Sequence, residues 1–291
     1  MLIATARHTV LRLRSANPIP ASRISALSSP RISQRYALHN TARLCSRVSP
    51  VHKFHATELL GATHRSTARH AHRDRKLSQR FNDIPKNYIL YGILGINGVI
   101  FAAWTYVQMF QGTTYISRPP SARWLARWLQ DNFINSYENL RQGRFWTLVT
   151  STFSHAEPGH ALLNGLTFWF LAPTALAVLG NAHFLALYLG SGVFASLASL
   201  AWNKHRNYHS HGASGAIYAL ASFFAFAVPN ARFLLFFVLP MPAWACIGAI
   251  GCFDVYNAFT RRFPSLDSAG HVGGLTAGAL YWMMRTRFRL L

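Results

Sequence analysis

Residues 211–228 read HGASGAIYALASFFAFAV, an apolar run that carries a serine, Ser214, at its upstream end and is stopped by Pro229-Asn230. A bilayer core about 30 Å thick needs about 20 apolar residues of helix. From Ser214 to Val228 the run is 15 residues long. At about 1.5 Å per residue it falls roughly 6–9 Å short of a full crossing. Ser214 is therefore placed below the membrane surface at the end of a helix, a costly position for a polar group and one that needs a reason.

Five more segments surround this one. Tyr88–Phe110 is followed by Gly112 and Pro119-Pro120, His160–Leu179 ends at Gly180-Asn181, and His183–Trp202 ends at Asn203-Lys204. Phe233–Phe253 contains Pro240 and Pro242, which predict a kink near its middle, and Ala269–Met284 runs into Arg285, Arg287 and Arg289. Open sheet is not viable in lipid, so the spans are expected to be helices. The predicted fold is an all-α membrane protein, a six-transmembrane-helix bundle over residues 81–291. Six spans put both termini on one side, and the basic N-terminal region and arginine tail mark it as the positive, matrix-like side. Basic residues such as Arg123, Lys204 and Arg261 also lie on the other face. In the long connection 111–159, Trp124, Leu125, Trp128, Leu129, Phe133 and Ile134 recur near helical spacing. They predict either a helix lying in the membrane interface or an ordinary packed loop helix.

Composition points the same way. The 291 residues are 51% apolar and only 13% charged, with 29 Lys+Arg against 8 Asp+Glu, a formal charge of +21. Residues 1–80 hold 15 of those bases and two of the acids, Glu58 and Asp74. A soluble enzyme is nearer a quarter charged and lacks such apolar runs. A nucleic-acid binder would carry its excess charge on a folded module, whereas here it sits in residues 1–80. That arm is rich in Arg, Ser, Ala and His. Its Arg7, Arg12 and Arg14, set among Leu2, Ile3, Val10, Leu11 and Leu13, can form a basic amphipathic helix. This is the composition of a mitochondrial presequence; the plainer alternative is a disordered basic tail. Cys45, Cys246 and Cys252 lack CxxC spacing and imply neither a disulfide framework nor a zinc knuckle.

Spans two, four and six run inward from one face, and each carries polar residues at its outer end. Counted from the inner boundaries, Asn164, Ser214 and His271 fall at nearly one depth. Three polar residues at one level predict either a wet site or a set of interhelical hydrogen bonds. The serine sits between small residues, in Gly212-Ala213-Ser214-Gly215, at a helix N-terminus, where free N–H groups and the helix dipole favour a developing anion. Serine is a weak nucleophile until a base takes its proton, and His271 is the one histidine of span six. Gly270, Gly274 and Gly278 form an i, i+4, i+8 stripe that lets span six approach Gly215, Ala219 and Ser222 of span four. Tyr218, one turn after Ser214, is placed to pack on the imidazole or to serve as an interfacial aromatic.

Taken in chain order, His155-x4-His160-x3-Asn164, Gly212-Ala213-Ser214-Gly215 and His271-x-Gly273-Gly274-x3-Gly278 resemble the motifs of the rhomboid intramembrane serine proteases, and with the arm those of the mitochondrial branch. The resemblance covers roughly residues 145–281. It implies a serine endopeptidase that cleaves membrane-anchored, for example single-span, substrates through a Ser214–His271 dyad. His160, Asn164 and the Ser214 N–H would be donors to the oxyanion, with Gly212 and Tyr218 in support. It implies the mitochondrial inner membrane, termini in the matrix, a site open to the intermembrane space, lipids and protein substrates as partners, and neither cofactor, metal nor nucleic acid. The dyad needs no third acid. Asp254 and Asp267 are the nearby acids, and Asp267 reads as a helix N-terminal residue. His155 is expected to support its loop or a water path, and His211 has no assigned role. The Trp-Arg pair of many rhomboid long loops stands here as Arg144-Phe145-Trp146, and residues 1–80 hold no seventh apolar run. Two rivals are a catalytically silent rhomboid-like binding or dislocation factor and a metal-dependent protein built on the outer histidines. The chain keeps both Ser and His, against the first, and has no HExxH, against the second.

Overall fold

The computed structural model describes residues 2–4, 79–112, 114, 117–235 and 238–287. The expectations for the presequence from residue 5 onward, for the arm up to residue 78 and for Arg289 lie outside the described residues.

The first long helix, α1 (Lys86–Gln108), starts directly after Pro85 and buries Leu90, Ile93, Ile100, Trp104 and Val107. Tyr88, Tyr91, Ile96 and Val99 stay exposed, with the Tyr91 ring against Trp169 at 5.9 Å. The connection that follows is folded. Helix α2 (Pro120–Phe133) has Pro at its first turn, where a missing N–H costs nothing. It turns Leu129 into a cluster with Ile100, Trp104, Val107 and Ile134. On its other side Trp124 and Trp128 stay exposed and stack at 6.2 Å. The packed face agrees with the reading of an ordinary packed loop helix, and on the exposed side Trp128 also packs on Phe133 at 5.2 Å. Beyond it come β2 (Asn135–Ser136), α3 (Tyr137–Arg141), capped by the Ser136 hydroxyl, and α4 (Thr147–Thr150), followed by a 3₁₀ turn at Ser151–Phe153. Arg144 of the altered Trp-Arg region ties this loop together, bridging Asp131 at 3.1 Å and bonding the Asn139 side-chain oxygen at 2.9 Å.

Helix α5 (Pro158–Trp202) is two limbs broken where Gly180 takes φ 73° and ψ 168°. The limbs fold back on each other, so that Phe168 packs on Phe184 at 6.3 Å and on Tyr188 at 5.4 Å. A side chain at Gly180 is disfavoured by that backbone and would crowd Asn82. The exposed backbone groups of the bend are met from the approach to α1. Ala182 N–H donates to Asn82 Oδ1, and the Asn181 amide donates to the carbonyls of Phe81 and Ile84. After β3 (His209–Ser210), which pairs antiparallel with β2, comes α6 (Ser214–Ala227). Then follow β4 (Arg232–Leu235), β5 (Leu239–Pro242), α7 (Ala243–Thr260) and α8 (Ser268–Arg287).

Three sequence expectations are corrected here. The span over 233–253 does not form a kinked helix: residues 232–235 pair antiparallel with residues 239–242 as β4 and β5, and the helix begins at Ala243 and runs to Thr260. Pro240 and Pro242 lack the N–H groups a helix needs, and Pro242 sits at φ −59° and ψ 144°, so α7 starts immediately after it. The fold is also not purely α, since β2–β3 and the β1–β4–β5 sheet are present, β1 being Leu2–Ala4. Those three residues are extended against Phe233–Leu235 and are therefore not the start of an amphipathic helix. α1 and α5 are long and apolar enough to cross a membrane, and α6 is a shorter apolar helix.

The core is built where α8 is clasped between α6 and the second limb of α5. A Cβ on Gly274 would collide with the carbonyl of Gly215, and one on Gly278 with the carbonyl of Ala219. Gly273 faces Ala195 and Ala198 of α5 in the same way. A Cβ on Gly270, the first of the expected stripe, would meet the Asp267 carboxylate, while the Gly270 carbonyl lies 3.6 Å from where a Cβ on Gly215 of α6 would stand. Ser222 completes the seam by donating to the carbonyl of Leu275 at 2.8 Å. Gly278→Ala is expected to destabilise the folded protein by about 1–3 kcal/mol, read as a lower denaturation midpoint in detergent. Gly248→Ala, where nothing lies within 4 Å, is expected to keep or slightly raise that midpoint.

Candidate active site

The strand-to-helix turn before α6 is held from both neighbours. Gly212 N–H donates to the Ser151 carbonyl at 2.9 Å, and Ala213 N–H donates to His155 Nε2 at 3.1 Å. Gly212 adopts φ +127°, and a Cβ there would meet His160 Cε1 at 2.7 Å. Only glycine satisfies both the backbone and the space. These restraints deliver Ser214 as the first residue of α6, with the helix N-terminus behind it.

Ser214 Oγ lies 2.9 Å from His271 Nε2. The histidine is buried on the first turn of α8, and its backbone N–H donates to the Asp267 carbonyl. Asp267 Oδ1 also accepts from Gly270 N–H at 3.1 Å, so Asp267 starts the helix, as its position predicts. The Tyr218 ring stacks on the imidazole with centroids 4.3 Å apart and planes 23° apart. The structure thus brings together Ser214, His271, Tyr218 and Gly212.

His160 and Asn164 line the same cavity, of about 670 Å³, with Ser214, Tyr218 and His271. Asn164 is nearly buried, and its amide donates to the His160 carbonyl one turn back at 3.0 Å. That bond leaves the second amide hydrogen available. His155 takes the supporting role, since its ring both accepts from Ala213 N–H and packs edge-on against His160 at 5.2 Å. His211, without a role in the sequence, stacks on Trp104 of α1 at 6.3 Å and lies 6.5 Å from His160. Among the described residues no three His, Cys, Asp or Glu side chains converge on a common metal position.

One residue of the site was named in the sequence as a nearby acid but given no role. Asp254, fully buried in the middle of α7, places Oδ1 3.0 Å from His271 Nδ1. Its sequence signal is an acid inside an apolar helix, but the misplaced start of the span hid which way it faced.

The Rhomboid domain family model matches residues 142–288, about half of the chain and all of α4 through α8. The chain belongs to the rhomboid family. Among proteins of known name, it is 31% identical over 209 residues to Rhomboid protein 1, mitochondrial, of Saccharomyces cerevisiae, covering 69% of this chain and 54% of that protein. It is 29% identical over 182 residues to RHOMBOID-like protein 12, mitochondrial, of Arabidopsis thaliana, covering 56% of this chain and 54% of that one. It is 30% identical over 142 residues to Rhomboid protease GluP of Bacillus subtilis, covering 48% and 26%. This rhomboid therefore spans about half the length of the mitochondrial relatives it matches.

The loop histidines set a pH limit on this rhomboid. Burial and the neighbouring rings of His160 and His211 push His155 down to about 3; burial, then His160 and His209, push His211 down to about 4. A neutral His155 is also what its acceptor role requires, with the proton on Nδ1. Both rings stay neutral when folded but bind protons near pH 6.5 when unfolded. Their contribution to stability is therefore complete above about pH 6.5 and is lost below it, until the folded rings themselves protonate. The melting temperature in detergent is expected to fall between about pH 7 and about pH 5. His211→Phe, which keeps a ring on Trp104, is expected to make that fall shallower.

Proposed function

We propose that this rhomboid is an intramembrane serine endopeptidase of the mitochondrial inner membrane that cuts membrane-anchored substrates with Ser214 as nucleophile and His271 as base. The observation that carries the reading is the 2.9 Å contact of Ser214 Oγ with His271 Nε2 at a helix N-terminus, on the wall of a cavity between apolar helices. The names of the yeast and plant relatives support the compartment, and that of the Bacillus subtilis relative supports the protease chemistry.

In this reading α1, the two limbs of α5, α6, α7 and α8 are the six spans. The termini face the matrix and the cavity opens toward the intermembrane space. At about 1.5 Å per residue α6 is roughly 21 Å long, so Ser214 lies below the outer surface of a core about 30 Å thick. Helix α2, with its exposed Trp124 and Trp128, rests in the outer interface.

The chemistry follows from the groups at the cavity. His271 Nε2 takes the hydroxyl proton as Ser214 Oγ adds to the peptide carbonyl. The resulting oxyanion is met by Ser214 N–H and by the side chains of His160 and Asn164. The imidazolium returns its proton to the leaving amine as the C–N bond breaks, and water admitted through the cavity hydrolyses the acyl-enzyme by the same proton relay.

Ser214→Ala is expected to abolish cleavage of a single-span reporter in proteoliposomes, by at least about 10³-fold, with the melting temperature kept. Asn164→Ala is expected to lose about 10²–10³-fold in rate. Undiminished cleavage by Ser214→Ala would overturn Ser214 as the nucleophile, and no cleavage by wild type would leave a rhomboid fold used for binding.

A further inference from the structure

We infer that Asp254 is a positioning residue for His271, so that the site works as a hydrogen-bonded series Asp254–His271–Ser214; this rests on the protease reading above. The carboxylate is fully buried, half-way along an apolar helix, where an unpaired charge would be strongly destabilising. It reaches the one imidazole nitrogen that Ser214 does not. Asp254 Oδ1 is 3.0 Å from Nδ1, while Ser214 Oγ is 2.9 Å from Nε2. The Tyr218 ring covers the face of the imidazole, and its hydroxyl faces the Asp254 carboxylate. The other acid nearby, Asp267, is engaged by Gly270 N–H at the start of α8.

This arrangement decides where the ring proton sits. A carboxylate only accepts, so Nδ1 carries the hydrogen and Nε2 presents its lone pair to the serine. Without an acceptor at Nδ1, the ring can hold its proton on Nε2, and that tautomer cannot take one from Ser214. During attack the serine proton moves to Nε2, the ring becomes a cation and the fixed carboxylate stabilises it. The Nδ1 proton stays on the ring and Asp254 is never protonated. The same proton returns from Nε2 to the leaving amine, so the relay balances without any other acid or base.

The test is the near-isosteric Asp254→Asn, assayed on the single-span reporter in proteoliposomes beside wild type and Ser214→Ala. Asn keeps the volume but can turn its NH₂ toward Nδ1, which forces the ring proton to Nε2. The expected result is a fall in kcat of about 10²–10⁴-fold, with KM changed less than about threefold. A residue that merely packs α7 against α8 would leave kcat near wild type or would lose KM and melting temperature together. Either of those outcomes overturns the inference. A second measurement needs neither turnover nor a variant. The ring-nitrogen chemical shifts of His271 in isotope-labelled wild-type protein at neutral pH are expected to place the proton on Nδ1. A proton on Nε2 would overturn the inference even if Asp254→Asn fails to fold. Active wild type with inactive Ser214→Ala keeps the protease reading whatever Asp254→Asn does. Equal cleavage by wild type and Ser214→Ala would remove that reading and leave the nitrogen shifts to decide the Asp254 contact.

Discussion

A hydroxyl and an imidazole from two different helices can sit 2.9 Å apart only if the backbones behind them nearly touch. In this protein that constraint is met by the seam between α6 and α8, where Gly274 and Gly278 lie against the carbonyls of Gly215 and Ala219. Ser214 stands just before the first of those contacts and His271 just before Gly274. The Ser214–His271 distance is therefore a direct reading of the seam. Between apolar helices in lipid there is little hydrophobic force to press them together, so close contact of small residues and hydrogen bonds such as Ser222 to Leu275 have to do it. The second limb of α5 closes on the other side of α8 by the same means, with Ala195 and Ala198 against Gly273.

Around that seam, several polar groups of the site are met by their neighbours. The loop carbonyl of Ser151 and the ring of His155 take the N–H groups of Gly212 and Ala213, leaving the next N–H groups of α6 free for a ligand's developing charge. His155 can do this only while neutral, which its burial among other imidazoles ensures. Asn164 is fixed by the turn of its own helix, and His211 is held by Trp104 of α1. Thus α1, which lies outside the matched Rhomboid domain, still bears on the loop that carries the serine.

Much of this was legible before any coordinates. Gly180-Asn181 marked the end of the first limb of α5 because a positive-φ bend needs glycine and its freed backbone groups need an amide. The seam was legible from the spacing of glycines, though Gly270 turned out to serve the helix start. Depth matching brought Ser214 and His271 together, because the number of residues from one membrane boundary measures height along a straight helix. Asp254 was not legible in that way. Its height depended on where its own helix begins, and hydropathy alone cannot tell a proline-bearing strand from the first turns of a span. The β4–β5 pairing took up residues 232–235 and 239–242 and moved the helix start to Ala243. The pairing of Leu2–Ala4 with β4 was likewise hidden, since it joins segments more than two hundred residues apart in the sequence.

The account stands on a serine made nucleophilic by one histidine within an apolar bundle. Labelling of the folded protein with a fluorophosphonate, read by mass spectrometry of the peptides, examines that directly. The account predicts an adduct on Ser214 and on no other serine, lost when His271 is replaced by alanine. An adduct elsewhere, or one on Ser214 that persists without His271, would contradict it.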